Sequence, residues 1–217
     1  MSRPWRSLAV AILLAALEQP SQAQAPSGLA AAALANPAFT WLHRSIPGFR
    51  VSFLADSYPA RHQDSLLARL PLAAQHAQEL LHVDPLAAPI DLFFIESRAQ
   101  MTLLIGGSAT GFAQPSARTV LLVTNPGWRA FERHEIMHVI AGQAWGPPGP
   151  NTAWLVEGLA QGADGRCGDF SNTGVAMALA ARRGFVKPAV TTIAKLSPEN
   201  TESQRFYAIW PAGFCLR

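Results

Sequence analysis

Phe49-Arg50-Val51-Ser52-Phe53-Leu54 alternates apolar and polar side chains, the period-2 pattern of a strand with one face in a core. Between Asp56 and Leu81 the period lengthens. Leu66, Leu67, Leu70, Ala74 and Leu81 recur at helical spacing, with Pro71 inside the run to bend or divide the helix. Ile90 to Ile95 predicts the next strand, and Ser97 opens a short helix that ends at Gly106-Gly107. Ala109 to Gln114 and Arg118 to Thr124, joined by Pro115-Ser116-Ala117, predict a hairpin, and Asn125-Pro126-Gly127 predicts a turn. A helix follows that turn and ends near Gly142. Gly146-Pro147-Pro148-Gly149-Pro150 excludes helix and central strand, so it is a loop between two helices. The second helix opens at Thr152, and Asn172 to Arg183 predicts a third. Strands and helices first, helices last, is the order of an α+β domain.

The start of the chain reads differently. Arg3 and Arg6 precede an apolar run from Leu8 to Leu17, and small residues follow at Ala23-Gln24-Ala25. That is the pattern of a secretory signal over residues 1–25, and it predicts a periplasmic or secreted product. The alternative, an N-terminal membrane anchor, meets the objection that ten apolar residues are too few to span a bilayer. No Cys follows the run to accept a lipid. Residues 26–48, rich at first in Ala, Pro and Ser, predict a flexible lead-in to a single domain over residues 49–217. With Arg3, Arg6 and Glu18 removed, the formal charge of +3 falls to +2, a balance that does not suggest nucleic acid as a partner. Both cysteines, Cys167 and Cys215, lie in the exported part. As a disulfide they would close a loop worth about 4 kcal/mol in the chain-entropy model, and two unpaired thiols are the alternative. Oligomeric state leaves no signal.

The candidate chemistry sits in the first of the two late helices, as His134-Glu135-Ile136-Met137-His138. Positions i and i+4 share a helix face, so two imidazole nitrogens can converge on one metal ion, and Glu135 stands beside it to take a proton from water. Two ordinary histidines on one helix would give the same letters. A catalytic zinc takes three protein ligands and leaves a fourth position for water, so a third ligand must come from elsewhere. Glu157 is the best candidate, beginning a separate helix and separated from His138 by eighteen residues. An acidic residue near a helix N-terminus is the bland alternative. Its neighbours Trp154, Leu155, Leu159 and Ala160 weigh against that, because a carboxylate in apolar surroundings costs several kcal/mol unless something such as a metal compensates.

Together, His134-Glu135-Ile136-Met137-His138 and Trp154-Leu155-Val156-Glu157-Gly158-Leu159-Ala160 resemble the gluzincin metallopeptidases. In that family the first helix carries two His ligands and the base, and the second supplies a Glu ligand. The second run is similar to the zinc site of M1 aminopeptidases, while the small size is more like the short bacterial MA-like peptidases. The resemblance covers roughly residues 118 to 165, with a weaker echo near the C-terminus. It implies a zincin-like fold and one zinc ion on His134, His138 and Glu157. It also implies peptide hydrolysis with Glu135 as general base and Tyr207 as the stabiliser of the oxyanion. A core or interface tyrosine is the alternative for Tyr207. The Gly-x-Met-Glu-Asn segment with which aminopeptidases bind a free amino terminus is missing, and the corresponding hairpin region reads Gly107-Ser108-Ala109-Thr110-Gly111-Phe112. That hairpin can still serve as an edge strand for an extended peptide.

Asp164 and Glu132 are candidates to orient the ligating imidazoles, against the alternative of a solvated helix face. His43, His62, His76 and His82 fall at non-ligand spacings and read as surface or capping residues. A second function class stays open: a peptidase-like domain that binds zinc or a partner without turning over peptide. The chain ends soon after Tyr207, and Pro211 interrupts the segment from Phe206 to Leu216, where relatives carry a helix that closes the substrate side.

Overall fold

The computed structural model describes residue 26 and residues 28–148, 153–167 and 170–171. The alternation from Phe49 becomes strand β2 (Phe49–Leu54), which pairs antiparallel with β1 (Trp41–Ile46) across a tight turn where Gly48 takes φ +80°. Such a φ suits glycine because it has no Cβ. Three helices follow, α2 (Tyr58–Arg61), α3 (Gln63–Leu67) and α4 (Leu70–Leu81), before β3 (Ile90–Ile95) returns parallel to β2. Helix α5 (Arg98–Ile105) then leads to β4 (Gly111–Gln114), a single 3-10 turn over Pro115–Ala117, and β5 (Thr119–Val123). Strand β5 lies parallel to β3 and antiparallel to β4, giving a mixed five-stranded sheet in the order β1-β2-β3-β5-β4. The long helices α6 (Glu132–Trp145) and α7 (Ala153–Asp164) come last, followed by a short pairing of β6 (Arg166–Cys167) with β7 (Phe170–Ser171). The domain is therefore α+β, as the order of patterns predicts.

Both faces of the sheet are covered. Phe53, Leu92, Phe94, Val120 and Leu122 face α4, α6 and α7, while Phe93, Ile95, Leu121 and Val123 face α1 (Leu29–Ala35) and Met101 of α5. The central strands β3 and β5 are buried at every position, which is why Ile90 to Ile95 shows no clean alternation. Arg50 and Asp91 join β2 to β3 through two 2.6 Å charge-assisted hydrogen bonds.

Several expectations need correction. Where the sequence predicts a flexible lead-in over residues 26–48, residues 28–48 carry α1 and β1. Ala30 and Ala33 are fully buried, and Trp41 packs edge-on against Phe93 at 5.1 Å. Small residues make α1 look featureless in sequence, yet they let it sit close to the sheet. The run from Asp56 to Leu81 is three helices, divided near Pro71 as expected, with Pro71 in the first turn of α4, where its missing N–H costs nothing. The motif helix does not end near Gly142 but continues to Trp145 and stops at Gly146. Gly142 instead meets the hairpin: a Cβ there would stand 2.9 Å from Pro115 Cγ, and Gln143 donates to the Pro115 carbonyl at 2.7 Å. The turn between β4 and β5 is thereby clamped onto α6. The signal over residues 1–25, the helix over 172–183, and Tyr207, Pro211 and Cys215 lie outside the described residues.

Ser97 behaves as predicted: its Oγ accepts from the Gln100 N–H and the Gln100 side chain returns to the Ser97 N–H, a capping box that fixes the start of α5. Gly106 closes the helix in the left-handed region. His82 caps α4 at φ 53°, and His43 and His62 bond Ser52 and the Tyr58 carbonyl, so all three serve local structure. Among the described residues no helix is long and apolar enough to cross a membrane.

Candidate metal centre

Helix α6 is held by its apolar residues. Ile136, Met137, Val139 and Ile140 are fully buried against the sheet and α4. That anchoring leaves His134 and His138, four residues apart, projecting together from the side that meets α7. Helix α7 is fixed by Ala160 and Ala163 in the same core, and its fifth residue, Glu157, reaches back to both imidazoles. Helices α6 and α7 pack side by side. The three residues predicted as ligands are therefore brought together.

The ligating atoms lie close enough to share one ion. His134 Nε2 and His138 Nε2 are 3.1 Å apart, and the Glu157 oxygens stand 3.4 Å from the first and 3.5 Å from the second. Tetrahedral ligands at metal–ligand bonds of about 2.0–2.2 Å would be about 3.3–3.6 Å apart; the two imidazole–carboxylate contacts, which run to different oxygens of Glu157, fall in that range, and the imidazole nitrogens lie slightly closer. The electrostatics agree. Burial disfavours a charged Glu157, but hydrogen bonds from both imidazoles outweigh it and hold its pKa far below the carboxylate range. Burial also disfavours a charged His134, yet the bond to Glu157 and the carboxylates Glu135, Glu157 and Asp164 raise its pKa. Glu135, Glu157 and Asp164 thus favour positive charge at His134.

Glu135 is buried beside this triangle but belongs to a different contact. Its carboxylate lies directly against Gly111, the first residue of β4, and a Cβ at that position would overlap it. Burial raises the Glu135 pKa, with His134 and His138 pulling the other way. A carboxylate held nearer to neutrality is suited to exchange a proton. In the sequence Gly111 reads only as part of the hairpin, although a lone glycine at the edge of a strand is a signal of close backbone approach.

The expectations for Asp164 and Glu132 change more. Neither lies on a solvated face: each is only 3 % exposed. Asp164 stands 3.5 Å from Arg129, and Glu132 stands 3.3 Å from Arg69. Burial raises both pKa values, and the arginines oppose it. Among the described residues neither carboxylate is hydrogen-bonded to an imidazole; Asp164 acts on His134 through space, while Glu132 is paired with Arg69. The two arginines had no sequence signal, because their partners are distant in the chain.

The centre opens on a cavity of about 590 Å³ bordered by Gly111, His134, Glu135, His138 and Glu157. Among the described residues β4 pairs with β5 alone, so its other side forms the adjacent edge of the sheet. Comparison of the chain with protein-family models, with curated proteins and with solved structures finds no match in any of the three.

Proposed function

We propose that this chain is an exported metal-dependent peptidase of the gluzincin type, in which His134, His138 and Glu157 hold one zinc ion. The observation that carries the reading is the 3.1–3.5 Å triangle of two imidazole nitrogens and a carboxylate, with a second, buried carboxylate on the next residue of the same helix. Two imidazoles and one carboxylate are a donor set suited to zinc. When bound, zinc would supply a Lewis acid that polarises the scissile carbonyl and makes water more acidic. The remaining work falls to the chain. Glu135 takes a proton from the attacking water and returns it to the leaving amine, a cycle that its raised pKa favours. Among the described residues the outer edge of β4 is unpaired, so its backbone N–H and C=O groups can take an extended peptide, which would then pass beside Glu135 at Gly111. Tyr207 is the proposed oxyanion stabiliser, on the strength of the family resemblance. The charged and then apolar start of the chain supports export to the periplasm or beyond.

The test is cleavage of a proteome-derived peptide library by the purified protein, with and without chelator. Cleavage that chelator abolishes and zinc restores is the expected result. One equivalent of bound zinc with no cleavage would favour a binding domain that uses the same ligands.

Gly111 gives a sharper check. In Gly111→Ala the new methyl group must displace the Glu135 carboxylate. Hydrolysis is expected to fall at least about tenfold, since misplacing a catalytic group by about 1 Å is costly, while zinc content stays the same. Unchanged turnover in steady-state assays would show that this contact does not position the base.

A further inference from the structure

Gly111, His134 and Glu135 border two cavities, and these are unlike. The larger is walled by Phe112, Ala141, Trp145, Leu155, Val156 and Leu159, so its character is apolar. The smaller, about 170 Å³, lies toward α5 and is bordered by Arg98, Ser108, Thr110, Trp128 and Gln161. Among the described residues that line it, Arg98 is the one permanent positive charge, and Glu135 is the one carboxylate. Arg98 Nη2 donates to the Ser108 carbonyl at 3.0 Å, which ties the guanidinium to the rim. No other hydrogen bond or ion pair among the described residues occupies it. A guanidinium carries five N–H donors in a fixed fork that matches a carboxylate.

We infer that the smaller cavity is a carboxylate subsite, which selects substrates with a carboxylate on one side of the scissile bond and an apolar side chain on the other. The inference rests on the peptidase reading, since it is the peptide lying along β4 that spans both cavities. The cavity volume suits one short side chain or a chain terminus, so the carboxylate is either an Asp or Glu side chain or the free C-terminus of a peptide.

The test reads binding, not turnover. Zinc-loaded Glu135→Gln protein is titrated with labelled pentapeptides in which phenylalanine adjoins aspartate or asparagine, in either order. A further pair ends just after phenylalanine and one residue more, with a free or an amidated C-terminus. A peptide bearing the carboxylate in the favoured place is expected to bind about tenfold more tightly than its uncharged twin, the size of one charge-assisted contact. The pair that shows the difference identifies the source of the carboxylate. Arg98→Gln should bring that ratio to one, whereas Arg98→Lys, which keeps the charge but loses the fork, should retain part of it. Equal affinities within every pair, or a preference that survives Arg98→Gln, would overturn the subsite. A preserved preference in a protein whose wild type cleaves nothing would sink the peptidase reading and leave the subsite standing.

Discussion

Glu135→Gln is expected to lower peptide hydrolysis by about 10²–10⁴-fold, the usual contribution of a positioned general acid or base. The substitution is close to isosteric, so the contact with Gly111 and the packing of α6 are kept. What is lost is the ability to accept a proton. Because Glu135 is not one of the three groups that face each other across the triangle, zinc content should be unchanged. Steady-state kinetics on one chelator-sensitive peptide, together with metal analysis of the same preparation, checks both halves. Full activity in Glu135→Gln would remove the residue from the mechanism.

His138→Ala should act on the other half of the site. Deleting one of three ligands is expected to weaken zinc binding by more than the 10–100-fold typical of changes in groups that merely orient a ligand. The loss has a thermal signature. An ion present at about 1,000 times its dissociation constant stabilises the folded chain by about 4 kcal/mol, so zinc should raise the melting temperature of the wild type clearly and that of His138→Ala hardly at all. The partial exposure of His138 makes the variant a fair test, since its side chain contributes less to the core than Ile136 or Met137. An undiminished zinc-dependent shift in His138→Ala would show that the ion binds elsewhere.

The features of the site that were legible in sequence are those fixed by local geometry. His134 and His138 converge because a helix repeats every 3.6 residues, and Ser97 caps α5 because its partner is three residues on. Glu157 could be selected across eighteen residues only because an acid among apolar neighbours needs a compensating partner. The hairpin from Gly111 to Val123 was readable for the same reason, with its turn residues between two apolar runs. Contacts between segments distant in the chain were not readable. The arginines that meet Asp164 and Glu132 are separated from them by long stretches of chain. Gly142 looked like a helix end because glycine usually is one there, whereas here it makes room for Pro115. Residues 28–48 read as a lead-in because alanine carries almost no periodic signal, although α1 and β1 complete the sheet and one of its faces.

Each of these expectations depends on His134, His138 and Glu157 forming one metal site. Elemental analysis of the full chain after gentle purification and dialysis tests it most directly, with Glu157→Ala prepared in parallel. One zinc per wild-type chain, lost in Glu157→Ala, is the predicted result. A wild-type protein that retains no metal when offered zinc, or a Glu157→Ala variant that retains one full equivalent, would contradict it.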